Sequence, residues 1–195
     1  DLPLHPGLVG GPDLIGRRRE LSWLESALAS AHAGSSTVVL VSGEPGIGKT
    51  TLVGSLARAH HGHRGATVLY GRCTEGESVP FQPFRSMIGA VVDHAPMPLL
   101  RQHTERRGGD LARIAPNLST RLWAPPPTSG DDATERFQLF EAVADLLRRL
   151  AGPGPLVVIL DDVHWGEPAE VRLIRHVRRA LADAPGLLGR GWRGA

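Results

Sequence analysis

A three-layer α/β fold with a mostly parallel sheet is predicted by three observations. First, Val38-Val39-Leu40-Val41 and Leu156-Val157-Val158-Ile159-Leu160 are uninterrupted apolar runs, the pattern of strands buried on both faces. Second, stretches with apolar residues at helical spacing lie between these runs. Third, the first run leads directly into Gly43-Glu44-Pro45-Gly46-Ile47-Gly48-Lys49-Thr50, which fits G-x-x-x-x-G-K-[ST] at every fixed position. Behind it, Thr51-Leu52-Val53 and Leu56-Ala57 recur at helical spacing, so the motif lies between strand and helix, as a P-loop does.

The composition allows one domain with a sizeable core and excludes several classes. The chain has 195 residues and a formal net charge of +2, with charged and apolar fractions of an ordinary globular protein. No apolar run approaches the ~20 residues needed to span a bilayer, so no membrane association is expected. The start, Asp1-Leu2-Pro3-Leu4-His5-Pro6-Gly7, lacks a basic region followed by an apolar one, and no signal peptide is read there. The single Cys73 cannot form an internal disulfide, which suits a cytoplasmic location. Helix-turn-helix patterning, zinc-ligand spacing and basic-aromatic interleaving are not found, so direct nucleic-acid binding by this segment is not expected. Lys49 is the only lysine, in a chain that otherwise uses arginine, and it stands where a point-charge phosphate ligand is wanted.

Taken in order, residues 1–13 are rich in Pro and Gly and read as a flexible N-terminal arm, with residues 14–195 as the domain. A helix is predicted from Arg18, with Leu21, Leu24, Leu28 and Ala31 along one face. Three cations at its start, Arg17-Arg18-Arg19, oppose the helix dipole and hint at an anionic neighbour. The phosphate-loop helix runs to about His60, and Ala66–Tyr70 is the next strand. A long polar loop with Phe81 and Phe84 as anchors precedes a helix from about Phe84 to Asp93. Residues 99–133 give weaker signals, with short helices around Leu99–Thr104 and Asp110–Ile114 and a loop at 124–130. Asp132, three residues before Glu135, resembles a capping box opening a helix that carries Phe137, Phe140, Val143, Leu146, Leu147 and Leu150 inward. Pro168 starts a last helix with Leu173, Ile174, Val177 and Leu181 on one side and Arg172, Arg175, Arg178 and Arg179 mostly on the other.

Two constellations carry the chemistry. In the phosphate loop, glycines let backbone N–H groups converge on a polyphosphate, and the helix N-terminus adds positive potential. Lys49 would reach the β- and γ-phosphates, and the Thr50 hydroxyl would bind Mg²⁺. The second constellation is Leu156-Val157-Val158-Ile159-Leu160-Asp161-Asp162, a buried strand ending in two carboxylates at its C-terminal edge. In parallel α/β sheets that edge faces the ligand. Asp161 would hold Mg²⁺, directly or through water, and Asp162 would orient the attacking water.

These residues, with Ile15-Gly16-Arg17…Glu20-Leu21, Gly71-Arg72-Cys73…Pro80-Phe81…Pro83-Phe84 and Leu160-Asp161-Asp162-Val163-His164-Trp165, resemble the AAA-like ATPase domain of STAND signalling NTPases. The match is to the group found in large ATP-binding regulators of the LuxR family and in some bacterial adenylate/guanylate cyclases, and it extends from about Leu14 to Pro185. The D-D-x-H-W string is its most specific part. The resemblance implies a cytoplasmic ATP- and Mg²⁺-dependent switch that hydrolyses ATP to ADP, slowly in this truncated form. It makes Ile15, Gly16 and Arg17 candidate base contacts and Gly43 through Thr51 the phosphate site, with self-association among the implied interactions. The family usually carries Asp where Glu167 stands. It also follows the last helix with an apolar strand ending in a sensor arginine, then a helical lid and often a DNA-binding tail. In register Arg193 takes the sensor position. Glycines interrupt the strand before it, so only a short strand around Leu187–Leu188 is expected, between Val38–Val41 and Val157–Leu160 and parallel to both. On this reading the C-terminal part of the sheet and the lid are missing, the chain is a truncated piece of a larger regulator, and any DNA contact lies in the missing part. A P-loop kinase of a small acceptor, or a remnant that binds nucleotide weakly, are the alternatives.

Overall fold

The computed structural model describes residues 2–10, 14–33, 36–42, 44, 46–61, 65–76, 79–151, 154–182 and 186–192. Gly43 and Pro45 of the phosphate loop, and Arg193, lie outside the described residues.

The apolar runs form the strands β1 (Ser36–Ser42), β2 (Thr67–Arg72) and β3 (Leu156–Asp161), and a fourth strand, β4, spans Gly186–Trp192. All pairings are parallel, and the order across the sheet is β1-β4-β3-β2. β4 therefore separates the phosphate-loop strand from the strand that ends at Asp161, as expected. Its extent differs from the expectation. It is not a short strand around Leu187–Leu188 but pairs with β1 over its whole length, from Ser36↔Gly186 to Ser42↔Trp192. A central strand has a ladder on both sides, and each buried N–H or C=O left unpaired there would cost about 1–3 kcal/mol. That outweighs the roughly 0.5–1 kcal/mol cost of each glycine in a strand.

Helices cover both faces. On one face lie α1 (Pro6–Val9), α2 (Arg18–His32) and α3 (Lys49–His60). Their Leu8, Leu24, Leu28, Leu52 and Leu56 pack on Val39, Val68, Tyr70, Val157 and Ile159. On the other lie α4 (Gln82–His94), α5 (Met97–Arg107), α6 (Leu118–Arg121), α7 (Asp132–Leu150) and α8 (Pro168–Ala180). They bury Phe84, Ile88, Leu100, Leu146 and Leu173 against Leu69, Leu156, Val158 and Leu160. The alternation along β3, with Val157 and Ile159 to one side and Leu156, Val158 and Leu160 to the other, is the period of two that makes the sheet the middle layer.

Four local expectations are corrected. Within the described part of the expected arm, residues 2–10, Leu8 is packed rather than loose: it is 1% exposed, and Arg58 on α3 donates from Nη1 to its carbonyl at 2.8 Å. The cap of α7 is Asp131, whose Oδ1 accepts from the Thr134 N–H at 2.7 Å, so Asp132 is the first helical residue. Phe137 does not point inward; it is 55% exposed and meets His176 edge-on. Between 97 and 121 the helices are longer or more numerous than the sequence suggested, with α5 running from Met97 to Arg107, a 3-10 turn at Asp110–Arg113, and α6.

Candidate functional site

The phosphate loop turns through two glycines with positive φ, Gly46 at 76° and Gly48 at 90°, a region closed to most residues with a Cβ. Gly48 then serves as the N-cap of α3. The Leu52 N–H donates to the Gly48 carbonyl at 2.9 Å, the first such bond of the helix. The N–H groups of Lys49, Thr50 and Thr51, ahead of it, are those that a helix N-terminus directs at an anion. Lys49 folds back across the loop, its Nζ donating to the Glu44 carbonyl at 3.0 Å.

The two constellations meet. Thr50 Oγ1 donates to Asp161 Oδ2 at 2.6 Å, joining residues 111 apart in sequence. Parallel strands with their C-terminal ends on one edge produce this meeting, because the loop after β1 and the last residue of β3 open onto the same side of the sheet. Asp161 is 4% exposed. Its Oδ1 accepts the Asp162 N–H at 3.0 Å, and its Oδ2 also accepts the Tyr70 O–H at 3.2 Å. Burial, then the Asp161 charge, pushes the Tyr70 phenol well above its ordinary range, so it stays a donor. A hydroxyl and a carboxylate side by side are hard oxygen donors, a set that fits Mg²⁺ completed by water and phosphate.

Asp162 stands in a left-handed conformation, φ 52°, which few residues with a Cβ adopt. Arg72, at the end of β2, grips its Oδ2 with Nε at 3.0 Å and Nη2 at 2.8 Å. The register that pairs Arg72 with Asp161 across β2 and β3 brings the guanidinium there. Next to it, Gly71 passes so close to α4 that a Cβ would collide with the Pro83 carbonyl. The Cys73 N–H donates to the Asp161 carbonyl at 3.1 Å. The Cys73 thiol is buried, and burial followed by the charges of Glu170, Asp162 and Asp161 pushes it up to about 11, which removes it as a nucleophile. Glu170, 2% exposed, accepts the Phe81 N–H at 2.7 Å and so ties α8 to the loop after β2. Glu167 is the N-cap of α8 but makes no side-chain cap bond.

Among the expected base contacts, Arg17 reaches the loop: its Nη2 donates to the Ile47 carbonyl at 3.3 Å, while Nη1 pairs with Glu20 at 2.8 Å. Gly16 has φ 77°, and Ile15 is 89% exposed with no core contact. Tyr70 and Arg72 were not singled out by chemistry in the sequence. The signal for them was their position on a strand adjacent to β3, which only the register converts into contact with Asp161 and Asp162.

A family model described as "AAA ATPase domain" matches residues 13–188. An uncharacterized protein of Rhizobium meliloti (strain 1021) is 27% identical over 198 residues, 93% of this chain and 18% of its own length. A hybrid signal transduction histidine kinase G of Dictyostelium discoideum is 23% identical over 177 residues, 84% of this chain and 5% of its own. The chain thus spans less than a fifth of the length of either relative. Among the described residues no helix is long and apolar enough to cross a membrane.

Proposed function

The chain belongs to the AAA ATPase domain family, which implies nucleotide binding and hydrolysis, and from that premise we propose that it is an ATP- and Mg²⁺-dependent switch module of a larger signalling or transcriptional regulator of the STAND kind. The observation that carries the proposal is the 2.6 Å bond between Thr50 and Asp161, which assembles the metal-side oxygens of the two motifs at one sheet edge.

In this reading the amides at the start of α3 and the Lys49 ammonium bind the β- and γ-phosphates of ATP. Thr50 and Asp161 would hold Mg²⁺, which when bound neutralises charge on the phosphates. Asp162 orients the water that attacks the γ-phosphate, yielding ADP and inorganic phosphate. Arg72 holds that carboxylate through both Nε and Nη2, fixing its direction and limiting its motion. Ile15, Gly16 and Arg17 border the base. Arg193 is proposed as the sensor arginine on the strength of the resemblance alone. The switch role draws support from the D-D-x-H-W string and from the relative named as a hybrid signal transduction histidine kinase. Self-association and a separate DNA-binding output belong to the same proposal.

ATP labelled in the γ position tests it. The expected result is release of labelled phosphate that requires Mg²⁺. Transfer of label to a small acceptor would replace the reading with a kinase, and neither release nor binding would leave a remnant without nucleotide function.

A further inference from the structure

The Asp161 carboxylate is held from a side that the two nucleotide motifs do not supply. Tyr70, the only tyrosine in the chain and 7% exposed, donates to Oδ2, the oxygen that also accepts Thr50. The Tyr70 ring also meets the segment His5–Leu8. The His5 ring lies 4.9 Å from it, centroid to centroid, and a Cβ on Gly7 would sit 3.7 Å from Tyr70 Cε1. Within the segment, the Gly7 N–H donates to His5 Nδ1 at 3.0 Å. The same segment is fastened at two further points: Leu8 is buried in the core, and the Leu8 carbonyl accepts Arg58 of α3 at 2.8 Å. That helix begins at Lys49 and Thr50. One short segment therefore touches the phosphate-loop helix on one side and the tyrosine behind Asp161 on the other.

We propose that Tyr70 is a positioning residue for Asp161, and that the segment His5–Leu8 keeps it in place, so that the start of the chain is part of the metal side of the nucleotide site. The proposal rests on the reading of Thr50 and Asp161 as the Mg²⁺ side. The physical basis is rotational. Thr50 on Oδ2 and the Asp162 N–H on Oδ1 give the carboxylate one donor per oxygen, and the Tyr70 O–H adds a third that further restrains rotation about the Cβ–Cγ bond. Outer contacts of this kind typically change metal affinity by about 10–100-fold when removed.

The test is calorimetry of ADP binding to wild type, Tyr70→Phe and His5→Ala, each with Mg²⁺ and with EDTA. Tyr70→Phe should weaken binding about 10–100-fold in Mg²⁺ and leave the value in EDTA unchanged. His5→Ala should move the Mg²⁺ value in the same direction by less. Equal losses with and without Mg²⁺, or no loss, would overturn the assignment. A wild type whose affinity ignores Mg²⁺ would instead remove the Thr50–Asp161 reading, and this inference with it. A second measurement does not depend on a variant folding. With 3-fluorotyrosine the chain gives one ¹⁹F resonance, which should shift on adding Mg²⁺ and ADP but not ADP in EDTA. A resonance that stays put in both would also overturn the proposal.

Discussion

Replacing Asp161 by Asn should remove the response to Mg²⁺ while leaving the fold nearly as stable as before. The amide keeps the shape of the carboxylate, and the Thr50 and Tyr70 hydroxyls can each turn to accept from it instead of donating. Charge-assisted bonds worth about 1.5–3 kcal/mol become neutral ones of about 1 kcal/mol. Against that loss, a group only 4% exposed no longer carries a desolvated charge, a penalty of several kcal/mol for an ion taken fully from water. The two changes oppose each other, and the ligand-free chain should shift by no more than about 1–2 kcal/mol, or roughly 2–8 °C in Tm. Removing a carboxylate that faces a bound cation costs about 2–5 kcal/mol of binding. At least a ~30-fold loss of Mg²⁺-dependent affinity follows from the lower figure. Thermal unfolding reads both quantities. ATP with Mg²⁺ at about 100 times Kd should add ~2.7 kcal/mol to the wild type. The same addition should leave the variant close to its value with ATP and EDTA. A variant that gained as much from Mg²⁺ as the wild type would refute the assignment of Asp161.

Two further outcomes are expected. Asp162→Asn should bind ATP with Mg²⁺ as the wild type does but release phosphate at least ~100-fold more slowly, measured by single-turnover release, because a positioned base contributes about 10²–10⁴-fold; parallel losses of binding and turnover would contradict its separate role. Stability should also fall as pH drops below about 6.5, the ordinary value of histidine. His103 is fully buried between α5 and α7, its Nδ1–H donating to Asp145 Oδ2 at 3.0 Å, and burial lowers its pKa despite that bond. The unfolded chain then binds a proton that the folded chain refuses, so the stabilisation is present above 6.5 and lost as pH falls toward the folded value. Comparing Tm between pH 7.5 and 5.5 for wild type and His103→Asn checks this, since an unchanged slope in the variant would assign it to other groups.

The parts of the fold that were legible in the sequence are those with a long periodic signal or a fixed motif. The runs at Val38–Val41 and Leu156–Leu160 and the helix behind the phosphate loop stand where the pattern put them. β4 was legible as a slot rather than as a strand. Its glycines argue against local strand preference, and the ladders offered by β1 and β3 override that preference. The docking of Leu8 was hidden because a four-residue helix carries no readable period. Asp131 and Asp132 are both credible caps by pattern, and the choice depends on which carboxylate can reach the Thr134 amide. Tyr70 and Arg72 could not be assigned a site role, although Arg72 stands in the Gly71-Arg72-Cys73 string of the resemblance, because only the parallel register sets them beside Asp161 and Asp162.

The central claim, that the loop around Lys49 binds the phosphates of ATP, is tested most directly by titrating ATP with Mg²⁺ into wild type and Lys49→Ala in a calorimeter. Lys49 is the only lysine, so the substitution removes the chain's one ammonium side chain without altering any other. Saturable binding by the wild type is expected, with a loss of about 2–5 kcal/mol in the variant, enough to make its binding undetectable or at least ~30-fold weaker. Equal affinity of the two proteins for ATP would contradict that claim.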